Sequence, residues 1–287
     1  MNWQSNNQGK VSGIFKRFDE EEFIAFDLET TGLHPVMARI IEIGAVRFRG
    51  DGTVLDCFQQ LIDPKCAISP GAMAVNGISN EMVAGQPLID EVLPALTRFI
   101  GYTSVVMTAY NAGFDMSFLA FAYSRLGLKK PLHPVVDTLA LARIRLYLKS
   151  YRMEVVGQNL RLAEKARHRA LEDALLLKDI FLKLVGLPPK IKNSDELLKT
   201  IPGLSFDGYE ASLGRAPDGF ETLCEAMVAE QPVEMFYLGG STPGAARFVT
   251  PLGVTRVGSL FYLSAYYHKS GFNKTFRLDR IASYRKA

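Results

Sequence analysis

Short apolar runs separated by turns mark the first part of the chain. Residues 23–26 are continuously apolar, as expected of a buried central strand, and residues 39–48 are rich in Ile and Val. A turn at residues 49–52 precedes another strand pattern at residues 53–62. The sequence therefore predicts three antiparallel strands at the start of the fold.

Strand and helix patterns alternate after this meander. Strands are predicted at residues 104–109 and 134–137, and helices at residues 89–100, 114–126, from 138 through Tyr147, and 170–185. The last helix has a buried face, because apolar residues repeat at three- and four-residue intervals: Ala174, Leu177, Phe181 and Leu184. The combination predicts an α/β fold in which a mixed sheet has helices on its faces.

The composition divides the chain into four segments. Residues 1–20 are predicted to be an N-terminal tail, and residues 21–186 to form the α/β domain. Residues 187–217 begin with two prolines and carry few long apolar runs, so they predict a linker with short helices. Residues 218–287 combine one helix with short strands at residues 233–238, 247–252, 260–267 and 274–278, which predicts a small β-barrel or curled sheet.

The composition of the chain excludes few functional classes. The 287 residues carry a formal net charge of +3, which by itself indicates no partner. Three cysteines, an odd number without metal-ligand spacing, favour a reducing cytoplasm over a disulfide-linked fold. No apolar run approaches the roughly 20 residues that cross a bilayer, so no membrane association is expected.

Two acidic residues follow the first predicted strand closely. Asp27 and Glu29 lie in the motif FDLETTG, and side chains two apart on a strand share a face. Adjacent carboxylates that lose hydration repel each other unless a cation is present, and oxygen ligands suit Mg²⁺ or Mn²⁺. The alternative is a solvated strand end where acids happen to alternate.

Two further motifs add polar residues at predicted helix starts. Asp115 ends the motif NAGFD after a strand, and Asp173 ends HRALED, which begins with His168. Each Asp could instead complement a helix dipole, and a lone His is usually structural or solvated. Basic residues crowd the approach to His168, either as a solvated face or as a surface that follows phosphates: Arg161, Lys165, Arg167 and Arg169.

Taken together, these motifs resemble the DEDDh exonucleases, the family of the proofreading epsilon subunit of bacterial DNA polymerase III. The resemblance covers roughly residues 21–185 and includes ARIIEIGA at residues 38–45 and VNGI at residues 75–78. It implies an RNase H-like fold and a 3′→5′ exonuclease in which four carboxylates hold two Mg²⁺ or Mn²⁺ ions, these being Asp27, Glu29, Asp115 and Asp173. His168 is implied as the general base for the attacking water.

The same resemblance implies contacts with the substrate. Leu33 matches the residue that wedges against the terminal base, and Asn111 matches a side chain near the 3′ end. Thr30 is a candidate for binding the terminal sugar. The alternative for Leu33 is an ordinary core position.

Residues 218–287 resemble a WYL domain. The resemblance rests on FYL at residues 261–263 and TFRLDRI at residues 275–281, with Phe261 in place of the Trp that gives the domain its name. It implies a small Sm- or SH3-like β-barrel that binds nucleic acid or a regulatory ligand. Arg247, Arg277 and Arg280 are its candidates for an anionic contact, although Arg280 could instead brace the barrel and the aromatic residues could be ordinary core.

These observations favour a stand-alone exonuclease that acts on single-stranded or frayed 3′ ends, with DNA favoured over RNA and DNA repair as the expected setting. One alternative is a proofreading subunit that acts with a separate DNA polymerase. The other is a nucleic-acid-binding regulator whose nuclease site is vestigial.

Overall fold

Two sheets organise the chain in the computed structural model. It describes residues 17–33, 35–36, 38–101, 105–162, 169–212, 216–240, 242–257 and 259–286. Most of the predicted tail lies outside these residues, but Phe18 is described and its ring stacks on Phe23 at 4.8 Å. Within the described residues, no helix has the length and apolar character that crossing a membrane requires.

The first sheet is mixed, as predicted. It consists of β1 (Glu22–Thr30), β2 (Ile40–Arg49), β3 (Val54–Leu61), β4 (Val106–Ala109) and β5 (Val135–Asp137), in the order β3-β2-β1-β4-β5. The first three strands pair antiparallel, whereas β4 pairs parallel with β1 and with β5. The strand that carries the first acidic motif is therefore central and covered on both faces.

Helices cover the two faces of this sheet. They are α1 (Pro70–Asn76), α2 (Asn80–Val83), α3 (Ile89–Ile100), α4 (Gly113–Arg125), α5 (Thr138–Arg145), α6 (Met153–Asn159), α7 (Ala170–Gly186) and α8 (Ser194–Thr200). Ile24 and Phe26 of β1 share one core with α3 and α4. Phe23, on the opposite face of β1, packs against α7, and its ring centroid lies 5.4 Å from that of Phe181.

Helices α1 and α2 lie between the strand predicted at residues 53–62 and the helix predicted at residues 89–100. Each is short, so neither carries a readable 3.6-residue repeat. Each begins at a serine cap: the side chain of Ser69 accepts the amide of Ala72, and that of Ser79 accepts the amide of Met82. These caps bond backbone amides that the first helical turn would otherwise leave unpaired.

The segment predicted as a linker, residues 187–217, contains helix α8 and is packed into the fold. Ile191, Leu197 and Ile201 are buried beside α7. Phe206 and Tyr209 are buried in the core that includes α4. The segment then forms strand β6 (Tyr209–Ser212), which pairs with a strand of the second sheet and so joins the two parts of the chain.

The second sheet is antiparallel and packs on one helix, α9 (Glu221–Val228). Its other strands are β7 (Val233–Tyr237), β8 (Ala246–Val257), β9 (Leu260–Tyr267), β10 (Phe272–Arg277) and β11 (Ile281–Lys286). Their order is β10-β9-β8-β7-β11, with β6 beside β8. Among the described residues no pairing joins β10 to β11, so the prediction of a closed Sm- or SH3-like barrel is not confirmed.

Candidate active site

The central strand β1 presents two acids on one face. Asp27 and Glu29 point away from the face that carries Leu28, as the two-residue period of a strand requires. In the pairing with β2, Asp27 lies opposite Gly44 and Glu29 lies opposite Glu42. The end of β1 is therefore a polar patch on a strand whose preceding residues, 23–26, are apolar and buried.

A close approach between β2 and α7 brings in a third acid. A Cβ atom on Gly44 would lie 2.1 Å from the carbonyl carbon of Ala170, so only glycine allows the helix to begin here. The first turn of α7 then carries Asp173 over β1. One carboxylate oxygen from each of Asp27, Glu29 and Asp173 lies within 4.8 Å of the others.

The fourth acid, Asp115, reaches the same place from α4. Its side chain is buried in the first turn of that helix, and its Oδ1 accepts the backbone amide of Leu28 at 3.1 Å. That hydrogen bond attaches Asp115 to β1 between the two acids of the strand. All four predicted carboxylates therefore lie at the same end of β1.

Crowding changes the acidity of the cluster. Burial raises the pKa of Asp27 well above its ordinary range, and the charges of Asp115, Glu29 and Asp173 raise it further. Burial, followed by the charge of Asp173, raises the pKa of Glu29 to about 8. Burial also raises the pKa of Asp115. At neutral pH the ionised carboxylates repel one another, so the binding of protons or cations stabilises the cluster.

The donor set fits a hard divalent cation. The converging atoms are all carboxylate oxygens, which Mg²⁺ and Mn²⁺ prefer, and the described residues place no cysteine or histidine among them. A cation would relieve the same repulsion that raises the pKa of Glu29. Asp27, Glu29 and Asp173 are therefore the residues that could hold it, with Asp115 beside them.

A buried ion pair fixes the start of α7 and was not predicted from the sequence. Glu42 is fully buried and accepts Nε and Nη2 of Arg169, at 2.9 and 2.6 Å, together with the backbone amide of Ala170 at 3.1 Å. Gln59 donates a further hydrogen bond at 2.9 Å. Although burial acts to raise it, the pKa of Glu42 is lowered overall by these hydrogen bonds. The one available sequence signal was a charged residue within the apolar run IIEIGA.

A cavity of about 470 Å³ opens beside Glu29. Leu33 lies on its rim with 73% of its surface exposed, so the structure does not place this side chain in the core. Thr30 is buried, and its hydroxyl donates to the carbonyl of Gly32 at 2.6 Å. Buried Asn76, another residue without a predicted role, donates from its side chain to the carbonyl of Thr30 at 3.4 Å and acts to lower the pKa of Glu29.

The remaining predicted residues of the first domain lie in different settings. Asn111 is exposed just before α4 and has a positive φ of 60°. Its backbone N–H donates to Oδ1 of Asp137 at 3.0 Å. His168, Lys165 and Arg167 lie outside the described residues. Arg169, from the same basic cluster, is committed to Glu42.

The three candidate arginines of the second domain also differ. Arg247 is buried under the rings of Tyr237 and Tyr267, and its guanidinium donates to the carbonyl of Gly239 at 3.0 Å. It therefore holds a turn within the domain. Arg277 forms an ion pair with Asp279, whereas Arg280 is exposed at the surface.

The mixed sheet and the cluster of carboxylates that could hold a metal ion fit the class of protein predicted from the sequence, the exonucleases. A family model described as Exonuclease matches residues 24–181, more than half of the chain, and a WYL domain model matches residues 218–286. The chain belongs to this exonuclease family, and both resemblances predicted from the sequence are confirmed. The predicted class of enzyme, an exonuclease, is confirmed with them.

Two relatives of this chain are named as DNA polymerases. The chain is 40% identical over 231 residues to DNA polymerase III PolC-type of Thermotoga maritima, covering 77% of this chain and 16% of the relative. It is 38% identical over 226 residues to DNA polymerase III PolC-type of Halalkalibacterium halodurans, covering 76% of this chain and 15% of the relative. The chain thus spans about a sixth of the length of these polymerases.

A solved structure resembles the chain beyond the exonuclease match. The zinc-bound form of E. coli ExoI in complex with single-stranded DNA superposes with a TM-score of 0.56 and 16% identity, over 85% of this chain and 54% of that chain. This coverage exceeds the share of the chain that residues 24–181 make up. The likeness is one of fold.

Proposed function

We propose that this chain removes nucleoside monophosphates from the 3′ ends of DNA, using two Mg²⁺ or Mn²⁺ ions at the acidic cluster. The convergence of carboxylate oxygens from Asp27, Glu29 and Asp173 carries this proposal. Bound cations of this kind act as Lewis acids that lower the pKa of water and neutralise charge on the scissile phosphate. The carboxylates hold these ions, and Asp115 completes the set from α4.

The protein's own residues orient the substrate. The cavity beside Glu29 receives the terminal nucleoside, and the exposed side chains of Leu33 and Val75 offer it an apolar surface. The hydrogen bond from Thr30 to the carbonyl of Gly32 shapes the loop that carries Leu33. His168 takes the proton of the attacking water in this proposal, because a histidine titrates near neutral pH.

The preference for DNA rests on relatives. The chain is similar in sequence to two proteins named as DNA polymerases and, in fold, to an exonuclease whose structure was solved with single-stranded DNA. A single-stranded or frayed 3′ end is therefore the proposed substrate, and the WYL domain is proposed to assist its binding. The exposed Arg280 and the paired Arg277 are the proposed contacts for phosphate on that domain.

A second candidate function is proofreading in company with a separate DNA polymerase. The names of two relatives favour it, because each is named as a DNA polymerase and contains a segment similar to this chain. An increase in mismatch removal when a purified replicative polymerase is added would support it. Equal rates on matched and mismatched ends, with and without the polymerase, would leave the stand-alone exonuclease.

The proposed function is tested by digesting 5′-labelled single-stranded DNA and RNA of one sequence with Mg²⁺, Mn²⁺ or EDTA. Asp27→Asn is compared with Asp56→Asn, which changes an exposed aspartate on β3. We expect a ladder that shortens from the 3′ end of DNA, is lost in EDTA and in Asp27→Asn, and persists in Asp56→Asn. Binding of DNA without cleavage under any metal would replace this proposal with the regulator that has a vestigial site.

A further inference from the structure

A cleft of about 240 Å³ lies between the two domains beside the candidate active site. Leu33, Asn111 and Phe114 line one wall, and the opposite wall comes from β8, β9 and β10 of the WYL domain. Leu33 and Phe114 also line the cavity that reaches Glu29. The cleft therefore adjoins the proposed pocket for the terminal nucleoside.

The register of the second sheet builds the far wall. Thr255 pairs with Tyr262, and Ser264 pairs with Thr275, so these four side chains share one face. Residues of the other face, among them Leu263, pack in the core of the domain. The sheet thus turns a row of hydroxyl groups and one aromatic ring toward the exonuclease domain.

One polar atom in this wall indicates a ligand. The side chain of Thr255 is only 5% exposed, and its Oγ1 has no hydrogen-bond partner among the described residues. A buried hydroxyl without a partner is unfavourable for folding alone, so such a group calls for a specific explanation. A ligand in the cleft that hydrogen-bonds Oγ1 supplies one.

The chemistry of the lining narrows the class of ligand. None of the described residues that line the cleft is charged, so it offers nothing to neutralise a phosphate. The half-buried rings of Tyr262 and Phe114 offer stacking surfaces, while hydroxyl and amide groups offer hydrogen bonds. The volume lies below the roughly 300 Å³ at which pockets for drug-sized ligands begin, which suits one small aromatic group.

We propose that this cleft is a subsite for one unpaired nucleobase upstream of the terminal nucleotide. Tyr262 stacks on the base and Thr255 hydrogen-bonds it, so the WYL domain reads the strand that the exonuclease domain shortens. This inference rests on the proposed function, and it deepens that function by requiring a single strand at this position. A base that is still paired would carry its partner strand into the wall formed by the sheet.

The test compares two substrates that both react at the acidic cluster, of which only one is long enough to place a base in the cleft. One is a short single-stranded oligodeoxynucleotide, and the other is the p-nitrophenyl ester of a nucleoside 5′-monophosphate, which has no upstream base. The variants are Tyr262→Ala and the nearly isosteric Thr255→Val. The control is Tyr266→Ala, which removes an exposed tyrosine of the same strand outside the cleft.

We expect Tyr262→Ala to lower kcat/KM for the oligonucleotide relative to the ester by roughly tenfold, mainly through KM, because one stacked base is lost. Thr255→Val should lower the same ratio several-fold while its melting temperature stays equal or rises, which a purely structural hydroxyl would not allow. Wild-type ratios in both variants, in an enzyme that cleaves both substrates, would overturn the subsite alone. A wild-type chain that cleaves neither substrate would overturn the proposed function and the subsite together.

Discussion

Replacing Glu42 by glutamine tests whether a buried ion pair holds the start of α7. The carboxylate of Glu42 accepts two nitrogens of Arg169 and the amide of Ala170, and it is fully buried. Glutamine keeps the shape of the side chain but leaves the guanidinium without its counter-charge. The perturbation therefore acts on the ion pair rather than on packing.

The expected loss follows from the burial of the two partners. Breaking a fully buried ion pair costs about 3–5 kcal/mol, and water stabilises part of the remaining charge here because the side chain of Arg169 is 32% exposed. We therefore expect a loss of roughly 2–3 kcal/mol, which lowers the melting temperature by about 4–12 °C. Because Asp173 lies in the same first turn, cleavage should slow as well.

The pH dependence has a definite sign. The folded-state pKa of Glu42 lies below its ordinary value of 4.5, so its stabilisation is present above that pH and is lost as the pH falls through the folded-state pKa. The difference in melting temperature between wild type and Glu42→Gln should therefore be large near neutral pH and shrink in acid.

The assay is thermal unfolding in EDTA, followed by circular dichroism across this pH range. Glu225→Gln is the matched control, because Glu225 also forms an ion pair, with Lys286 at 2.9 Å, but both side chains are more than half exposed. Surface pairs contribute at most about 1 kcal/mol, so the control should barely change. Equal losses in the two variants, or a difference that does not depend on pH, would refute this account of the ion pair.

Three further predictions concern the acidic cluster and its rim. Gly44→Ala places a methyl group against the backbone of α7 and should lower kcat about 100-fold, whereas Gly186→Ala, at the open end of that helix, should not change it. Because the pKa of Glu29 is raised to about 8, the metal-free protein should lose stability as the pH rises from 4.5 to 8. Mg²⁺ should therefore raise the melting temperature more at pH 8 than near pH 5, and an equal rise at both pH values would contradict this. Leu33→Ala should raise KM for single-stranded DNA and change the free energy of unfolding by less than about 0.5 kcal/mol. The control is Leu132→Ala, at a position that is even more exposed, and it should leave KM unchanged.

Local regularities made part of the site predictable. The two-residue period of β1 places Asp27 and Glu29 on one face without reference to any other element. The positions of Asp115 and Asp173 could not be predicted in this way, because they depend on the topology of the fold. A parallel strand and a long helix bring these residues to β1 from distant parts of the chain. Their roles were inferred from resemblance to a family.

What the sequence did not reveal depends on contacts between distant residues. Glu42 lies within an apolar strand, and its partner Arg169 is 127 residues away. Strand β11 was also not predicted, because its residues do not alternate regularly between buried and exposed. It is a strand because it pairs along β7, which is distant in the sequence. Strand β8 also runs past the predicted end, because the irregularity between Pro251 and Gly253 lets it bend and continue.

The two domains meet on the loop that follows the acidic motif. Thr31 and Arg39 close the base of this loop through two hydrogen bonds of 2.9 Å, and Leu33 lies between them in sequence. From the other side, a Cβ atom on Gly253 of β8 would lie 2.5 Å from Cγ1 of Val36, so the strand presses directly on the loop. Because one loop supports both the rim of the acidic cluster and the WYL domain, removing that domain would also disturb the rim. Single substitutions in the cleft therefore separate binding from chemistry better than truncation does.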